Sequence, residues 1–520
     1  MITQETLRRV QQALASQGIG WDMAKAAMTQ MQKATFAAPG STTTGLNFYN
    51  LEPIAKRLFN SYTPIRNETP RRPGPGGTAA NWRAITGINA GKMPMGVPDG
   101  VRAAALAHTV TEYTAKYVEI GSESSTTFLA QLAAQGFDDV RAIQAITGLR
   151  ATQNREEQYL IAGLGTFGLG TAPTVTIADS LTAGSLSTST TYHVRVVALS
   201  AEGLNLSVAP TATVPGQLAM VLTLTSASPR ATTYTVNGGA SQISADASHA
   251  TGGSTTAVDV SCAAVPGAAA YAWFLGSSST NGTCVAITTV NIATLTTLKT
   301  AGAPPTYYAD TVSTNFDADH SRNARVFDGI LGIAAASGSG ATITSLDGGK
   351  LNGDSAAGIV EIDALLRTMA TSFKVSPETM WVNFQQIPDI TSKVMSGGSG
   401  AQLYHIVMTE GAAQGSVMAG TRVTSYQNKF ALDPAKQSLA VRVHPDIPPG
   451  TILFTSQQLP PISFPDANIS GVLEVETLQE YTQMEWPLTD RQYESGVYVT
   501  SVLKCYFPPA LGVLSCIGVG

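Results

Sequence analysis

Apolar positions along this chain change period several times, and each change marks a boundary. Within residues 1–33, Leu7, Val10 and Leu14 recur at helical spacing, and Trp21, Met23, Met28 and Met31 follow. That spacing predicts an amphipathic helix, interrupted near Gly18 and Gly20. A second helical stretch runs through Leu51, Ile54, Leu58 and Phe59. From Pro64 to Gly100 the periodicity fails. The segment PIRNETPRRPGPGGTAANWRAITGINAGKMPMGVPDG is rich in Gly, Pro and Arg. Compact domains seldom hold structureless connections longer than ~15 residues. Disordered linkers, in turn, are poor in residues such as Trp82, Ile85, Met93 and Met95. The expectation is an extended arm or hairpin laid on another subunit. There Arg66, Arg71, Arg72 and Arg83 would meet acidic groups, with Trp82 as an apolar anchor.

The next segment alternates. HTVTEYTAKYVEI, His108 to Ile120, reads as a strand with both faces partly used. A short helix is expected in SESSTTFLAQLAAQG. A long one is expected from Asp138 to Ile161, with acidic residues at its start. Val140, Ile143, Ile146 and Leu149 supply its apolar positions, and Arg155, Glu156 and Glu157 read as a solvated face. Such a helix would measure ~35 Å, long enough to brace a domain.

From Thr171 to about Pro305 the chain becomes almost uncharged and rich in Thr, Ser, Ala, Val and Gly. TTYHVRVVALS, LAMVLTLTS, TAVDVSCAAV and AYAWFLG read as strands, punctuated by glycine turns. This predicts an all-β sandwich inserted into a mixed α/β parent and able to fold by itself. Cys262, Trp273 and Cys284 follow an immunoglobulin-like order, but at too short a spacing for its inter-sheet disulfide. A reduced, buried pair of cysteines is the competing expectation. Tyr271 and Trp273 are the candidate exposed, sugar-binding aromatics of the insert. Their alternation with Ala270 and Ala272 favours the core instead.

The parent pattern returns from Tyr307. FDGILGIAAAS is an apolar run closed by glycines. VEIDALLRTMATSF predicts a helix with Ile362, Leu365, Leu366 and Met369 inward. SPETMWVNFQQIPDITSKV is expected to continue as helix, with Ser376 as cap, Pro377 at the first position, and Met380 and Trp381 inward. YHIVM, SLAVRVHP, GTILFTSQQLP, GVLEVETLQEY and GVYVTSVLKCYF predict strands. The apolar tail PPALGVLSCIGVG predicts a central strand or a buried end.

Composition narrows the function. The chain has 520 residues, a formal net charge of -5 and only 13% charged residues, about half the usual globular share. The mild negative balance argues against nucleic-acid readout as the main task. The start, MITQETLRRVQQALASQ, lacks the apolar run of a secretory signal, and no stretch has the length and hydropathy of a membrane span. Cytoplasmic synthesis is therefore expected. Dinucleotide, phosphate-loop, zinc-protease and nucleophile-elbow motifs are missing. Asp317, Asp319 and His320, in NFDADHSRN, are weak candidates for a metal site, with a capped turn as the simpler reading. Asp354 and Glu361 give no carboxylate pair by spacing. No cofactor is implied.

The order of parts resembles the major capsid protein of tailed bacteriophages, with its HK97-like fold. It rests on the N-terminal stretch, the Gly/Pro-rich segment leading to HTVTEYTAKYVEI, the long helix at Asp138–Ile161, the FDGILG and SPETMWVN segments, and the C-terminal strand. The resemblance implies an α+β fold with an N-terminal arm at 1–63 and an extended loop at 64–107. The first part of a peripheral domain with its spine helix would occupy 108–170. An inserted Ig-like sandwich would follow at 171–305, then an axial domain with the rest of the peripheral domain at 306–520. It further implies a non-enzymatic subunit of an icosahedral virion shell around double-stranded DNA. That subunit would assemble in the host cytoplasm into hexameric and pentameric capsomers, and would not touch a membrane. A separate scaffolding protein, a portal and a decoration protein are implied partners, with non-specific contact to packaged DNA. Leu7, Val10 and Leu14 would be arm contacts; Arg71, Arg72, Trp82 and Arg83 would be inter-subunit loop contacts. Lys92 is the loop's lysine, with no secure match to the cross-linking set of some family members. A bacterial surface or adhesion protein and a polysaccharide-active enzyme with a β-sandwich appendage are the competing classes.

Overall fold

A computed structural model describes residues 60–87, 96–103, 105, 107–135, 139–208, 218, 220–225, 232–279, 281–298, 309–310, 316–354, 358–396, 422–459, 470–488 and 490–519. The expected arm contacts Leu7, Val10 and Leu14, the loop residues Lys92, Met93 and Met95, and the strand YHIVM lie outside the described residues.

The Gly/Pro-rich stretch, expected as an extended arm or hairpin, holds three described elements. They are a one-turn helix α1 (Pro64–Glu68), a short strand β1 (Arg71–Pro73) and a nine-residue strand β2 (Ala79–Gly87). Pro64 suits the first turn of α1, where its missing N–H costs nothing. The alternating segment splits at Tyr117 into β3 (Thr109–Lys116) and β4 (Val118–Thr127). β3 pairs antiparallel with β2 to make a two-stranded ribbon. β4 instead joins a four-stranded sheet of order β1-β20-β21-β4, where β20 is Leu473–Glu485 and β21 is Gln492–Cys505. The expected short helix begins late, as α2 (Phe128–Ala134), because β4 runs to Thr127.

The long helix is present as α3 (Val140–Ala162). Asp139 caps it, accepting from the N–H groups of Arg141 (3.1 Å) and Ala142 (3.2 Å), as an acidic start favours. Its buried face differs from the expected one. Ile146 is exposed, while Thr152, Glu156, Glu157, Leu160 and Ile161 are buried. The segment continuing from its end carries Gly163, whose close approach to residue 327 leaves no room for a side chain. A Cβ there would meet the Phe327 carbonyl oxygen at 2.3 Å. Gly329 returns the contact, donating to the Gly163 carbonyl at 2.9 Å. The FDGILG run is thereby held against the helix and continues as α5 (Ile330–Ala335).

The β-rich region has two main sheets. One holds β5 (Thr176–Asp179), β10 (Val258–Ser261) and β13 (Ile292–Leu295) in the order β13-β10-β5. The other has the order β14-β12-β11-β6-β9. Its strands are β6 (Thr191–Leu199), β9 (Ala247–Ala250), β11 (Ala270–Ser278), β12 (Asn281–Thr288) and β14 (Ala309–Asp310). A small hairpin of β7 (Val221–Thr225) and β8 (Thr233–Asn237) and a helix α4 (Ala201–Val208) accompany them. β11 is covered on both faces. Tyr271, Trp273 and Leu275 enter one apolar cluster; Ala270, Ala272 and Phe274 enter another. Residues outside 171–305 complete these clusters: Leu164, Leu169 and Cys516 in the first, Phe316 in the second.

The remaining described chain forms a six-stranded mixed sheet, ordered β15-β22-β19-β16-β18-β17. Its strands are β15 (Thr342–Ser345), β16 (Thr379–Val382), β17 (Ser425–Gln427), β18 (Ser438–Val443), β19 (Ile452–Thr455) and β22 (Gly512–Ser515). Helix α6 (Val360–Phe373) buries Ile362, Leu365, Leu366 and Met369, the four expected positions. The expected continuation of helix through TMWV is corrected to strand β16, followed by helix α7 (Gln386–Ser396). Met380 and Trp381 are buried as expected. A short apolar run buried on both faces looks alike in helix and strand, and here β18 and β19 flank it on either side. The C-terminal tail supplies an internal strand, β22, between β15 and β19.

None of the four cysteines forms a disulfide, and all are buried. Cys262 and Cys284 lie in different clusters, so they do not face each other. Burial pushes the Cys262 and Cys505 thiols up to about 12 and raises Cys516 as well. Thiolate is the reactive form. Iodoacetamide at pH 8 should therefore leave the native chain unmodified and label all four cysteines once it is denatured. Mass spectrometry of the intact chain reads the result, and rapid native labelling would contradict the burial.

Candidate functional site

The most unusual feature is a set of charges enclosed where α3 meets the segment leading to the β2–β3 ribbon. Glu156 and Glu157 are fully buried. Burying a carboxylate is costly unless it is paired and hydrogen-bonded, and both are. The Arg66 guanidinium donates to Glu156 through Nε at 2.9 Å, and Arg71 Nη1 lies 3.1 Å from each Glu156 oxygen. Ser501 Oγ, on β21, adds a donor at 3.2 Å, and the Tyr481 hydroxyl, on β20, adds another. Both guanidinium groups also lie over the Tyr481 ring, at 4.9 and 5.5 Å from its centroid. Burial, together with Glu156, pushes the Tyr481 hydroxyl well above its ordinary range, so it stays a donor.

Glu157 is used differently. It accepts from the backbone N–H groups of Ile65 (2.9 Å) and Arg66 (2.7 Å), at the start of α1. A carboxylate there satisfies orphan donors and complements the helix dipole. His444 Nε2, beyond the end of β18, lies 2.9 Å from the same carboxylate. His444 Nδ1 accepts from the Asp446 N–H at 3.1 Å, so Nε2 carries the proton that faces Glu157. The expectation of a solvated face at Arg155, Glu156 and Glu157 is therefore corrected for the two glutamates. Arg155 is partly exposed and pairs with Glu202 at 2.7 Å. Charge alone suggested solvent; distant arginines supply the countercharge of Glu156, and backbone N–H groups with His444 satisfy Glu157.

This knot holds α1 and β1, which precede the β2–β3 ribbon in the chain. One ribbon face packs on its own chain. Trp82 stacks on Tyr113 with centroids 5.5 Å apart, and its Nε1 donates to the Cys505 carbonyl at 3.1 Å. Beneath it, Lys504 pairs with Glu476, which also accepts from the Tyr117 hydroxyl. A groove of about 490 Å³ opens beside Trp82 and Tyr113, lined also by Phe167, Phe373, Phe507 and Pro508. The opposite ribbon face is open. Ile85 and Val110 are cross-strand partners and are 50% and 46% exposed. Arg83 and Glu112 pair across the same ribbon at 2.8 Å, both well exposed.

The expected loop residues thus separate. Arg71 and Trp82 spend their polar atoms within the subunit. Arg83 is solvent-facing, and Arg72 is exposed on β1, its carbonyl accepting from Thr477 Oγ1 at 3.4 Å. Tyr271 and Trp273, the candidate exposed aromatics, are both wholly buried. Trp273 Nε1 donates to Thr288 Oγ1 at 2.8 Å, and the Tyr271 hydroxyl accepts from the Val265 N–H at 2.8 Å. The weak metal candidates diverge. Asp319 accepts from the N–H and hydroxyl of Ser321 and from the Gly170 N–H. His320 faces Asn237 at 3.3 Å, and Asp317 is exposed. Among the described residues no three His, Cys, Asp or Glu side chains come together to hold a metal ion. No helix among them is long and apolar enough to cross a membrane.

No protein-family model matches the sequence, and no curated protein matches it. Several solved shell proteins resemble the fold at low identity and modest TM-scores. A capsid subunit of cyanophage A-1(L) is 10% identical with a TM-score of 0.40, over 89% of this chain and 95% of that one. The capsid of a native GTA particle is 9% identical with a TM-score of 0.39, over 92% and 100%. The SrpI encapsulin of Synechococcus elongatus is 9% identical with a TM-score of 0.36, over 95% of each chain.

Proposed function

We propose that this chain is a self-assembling shell subunit, a major capsid protein of the HK97-like kind, completed only by copies of itself. The β2–β3 ribbon carries the reading. An isolated two-stranded ribbon is marginal in water. This one packs Trp82 on its own chain yet holds Ile85 and Val110 side by side in solvent. Its packed face and open apolar face suit a head-to-tail contact, in which one subunit's ribbon fits a different patch on the next. The order of parts in the sequence supports the same reading. Arg72 and Arg83 serve the ribbon's contact with the neighbour; Leu7, Val10 and Leu14 serve an arm between subunits.

On this proposal the subunits form hexameric and pentameric capsomers of a virion shell enclosing double-stranded DNA, touched without sequence preference. Scaffolding, portal and decoration proteins are separate chains, and the β-rich region faces outward. Glu156 and Glu157 do not support a glycosidase centre, because both are enclosed by their partners.

Electron microscopy of the purified full chain tests the proposal. Closed shells of uniform size are expected. Ile85→Asp should abolish them while leaving the thermal midpoint of the chain unchanged. A wild-type chain that stays monomeric at high concentration, with or without co-expressed scaffold, would sink it.

A further inference from the structure

The β-rich region and the C-terminal strand meet along a buried seam, and each brings a cysteine to it. Cys262 directly follows β10, and Cys516 directly follows β22. Both enter the apolar cluster built around Tyr271, Trp273 and Leu275. Asn291 holds the Cys262 side of the seam. Its carbonyl accepts from the Cys262 N–H at 3.0 Å. Its Nδ2 donates to the Cys262 carbonyl at 2.6 Å and to Asp347 Oδ1 at 2.8 Å. The residue after Asp347 holds the other side, the Gly348 N–H donating to the Cys516 carbonyl at 2.9 Å. Between the two, the Tyr271 hydroxyl lies 3.8 Å from Cys516 Sγ and accepts from the Val265 N–H, shortly after Cys262, at 2.8 Å. The sulfur atoms also act on their surroundings together. Burial raises the Tyr271 hydroxyl most, then Cys516, and Cys262 adds to it. After burial, Cys516 is the largest cause that raises the Cys262 thiol. The other two cysteines lie elsewhere, Cys284 in the second cluster of the β-rich region and Cys505 in the core of the parent sheets.

We infer that Cys262 and Cys516 are an oxidisable pair, a latent disulfide that ties the C-terminal strand to the β-rich region. The inference does not depend on the shell reading. Its oxidant is a low-molecular-weight disulfide of the glutathione class. One thiolate of the pair attacks that disulfide and expels a first glutathione thiolate. The second thiolate attacks the mixed disulfide and expels the other. The bond between Cys262 and Cys516 thus replaces the bond of oxidised glutathione. Two electrons pass to glutathione, and the two cysteine protons end on its thiols. Burial sets the timing. Enclosed thiols are inert, so exchange needs β22 to be unpaired, during folding or a local opening. Once formed, the bond closes a long loop and restricts the unfolded chain.

The full chain serves for the test. It is unfolded in urea, refolded across a series of oxidised-to-reduced glutathione ratios, and alkylated with N-ethylmaleimide in denaturant. Intact mass should show one internal disulfide, and peptide mapping should join Cys262 to Cys516 with Cys284 and Cys505 alkylated. Cys262→Ser and Cys516→Ser should each remove the internal bond. The oxidised chain should melt about 5 °C or more above the same chain reduced with dithiothreitol. If the chain does not refold, native chain held in the same buffers with urea below its unfolding midpoint decides instead, because local opening admits the exchange. Alkylation of all four cysteines at every ratio, glutathione adducts without the internal bond, or a bond that uses Cys284 or Cys505 would overturn the inference.

Discussion

Replacing Glu156 with glutamine should lower the stability of the folded chain by about 3–5 kcal/mol, the usual cost of breaking a buried ion pair by removing one partner. Glu156 is wholly enclosed, and the Arg66 and Arg71 side chains beside it are only 14% and 20% exposed. Without the carboxylate, two mostly desolvated guanidinium groups lie over the Tyr481 ring with only the exposed Glu480, 3.5 Å from Arg71, as countercharge. The substitution keeps size and shape, so cavity formation contributes little. Urea unfolding of the full chain, followed by circular dichroism, reads the loss as an earlier midpoint. Glu480 is the internal control. It meets Arg71 at 3.5 Å but is 57% exposed, and its removal should cost less than about 1 kcal/mol. Equal midpoints for Glu156→Gln and wild type would mean that the knot holds nothing together. A triple change of Glu156 to Leu with Arg66 and Arg71 to Met should recover much of the loss, because an apolar replacement leaves no stranded charge.

Trp273→Ala should cost a similar amount, about 3–5 kcal/mol, for a different reason. The side chain is fully buried within β11, and its indole N–H is satisfied by Thr288. Truncation opens a large cavity in a sheet interior, while the Thr288 hydroxyl keeps its bond to the Val290 carbonyl at 2.6 Å. A separate early transition in a calorimetric scan of the full chain is the expected signature. An exposed, ligand-binding tryptophan would behave oppositely, with stability near wild type and loss only of binding. Unchanged unfolding in Trp273→Ala would restore that alternative.

The two predictions also divide what local sequence can carry from what it cannot. Periodicity identified α3, though not the face it buries, and the four inward residues of α6, while composition marked the β-rich stretch. The alternation of Tyr271 and Trp273 with alanines likewise favoured the core. Strand TMWV was misread as helix, since four apolar residues buried on both faces have no distinguishing period. Only the tertiary structure decided the fate of Glu156 and Glu157. Their neighbours in sequence are polar, and nothing local tells a solvated glutamate from a buried one. The countercharges come from Arg66 and Arg71, some 85 to 90 positions earlier, and the remaining donors from Tyr481, Ser501 and His444, nearly 290 or more positions later. The same holds for the ribbon. Its Gly/Pro-rich sequence led only to the expectation of an extended arm or hairpin; which face met its own subunit and which met solvent depended on where β21 placed the Cys505 carbonyl. Short-range pattern marks long periodic elements such as α6; the type of short apolar runs, burial of charge and the identity of exposed surfaces depend on long-range partners that exist only once the chain has folded.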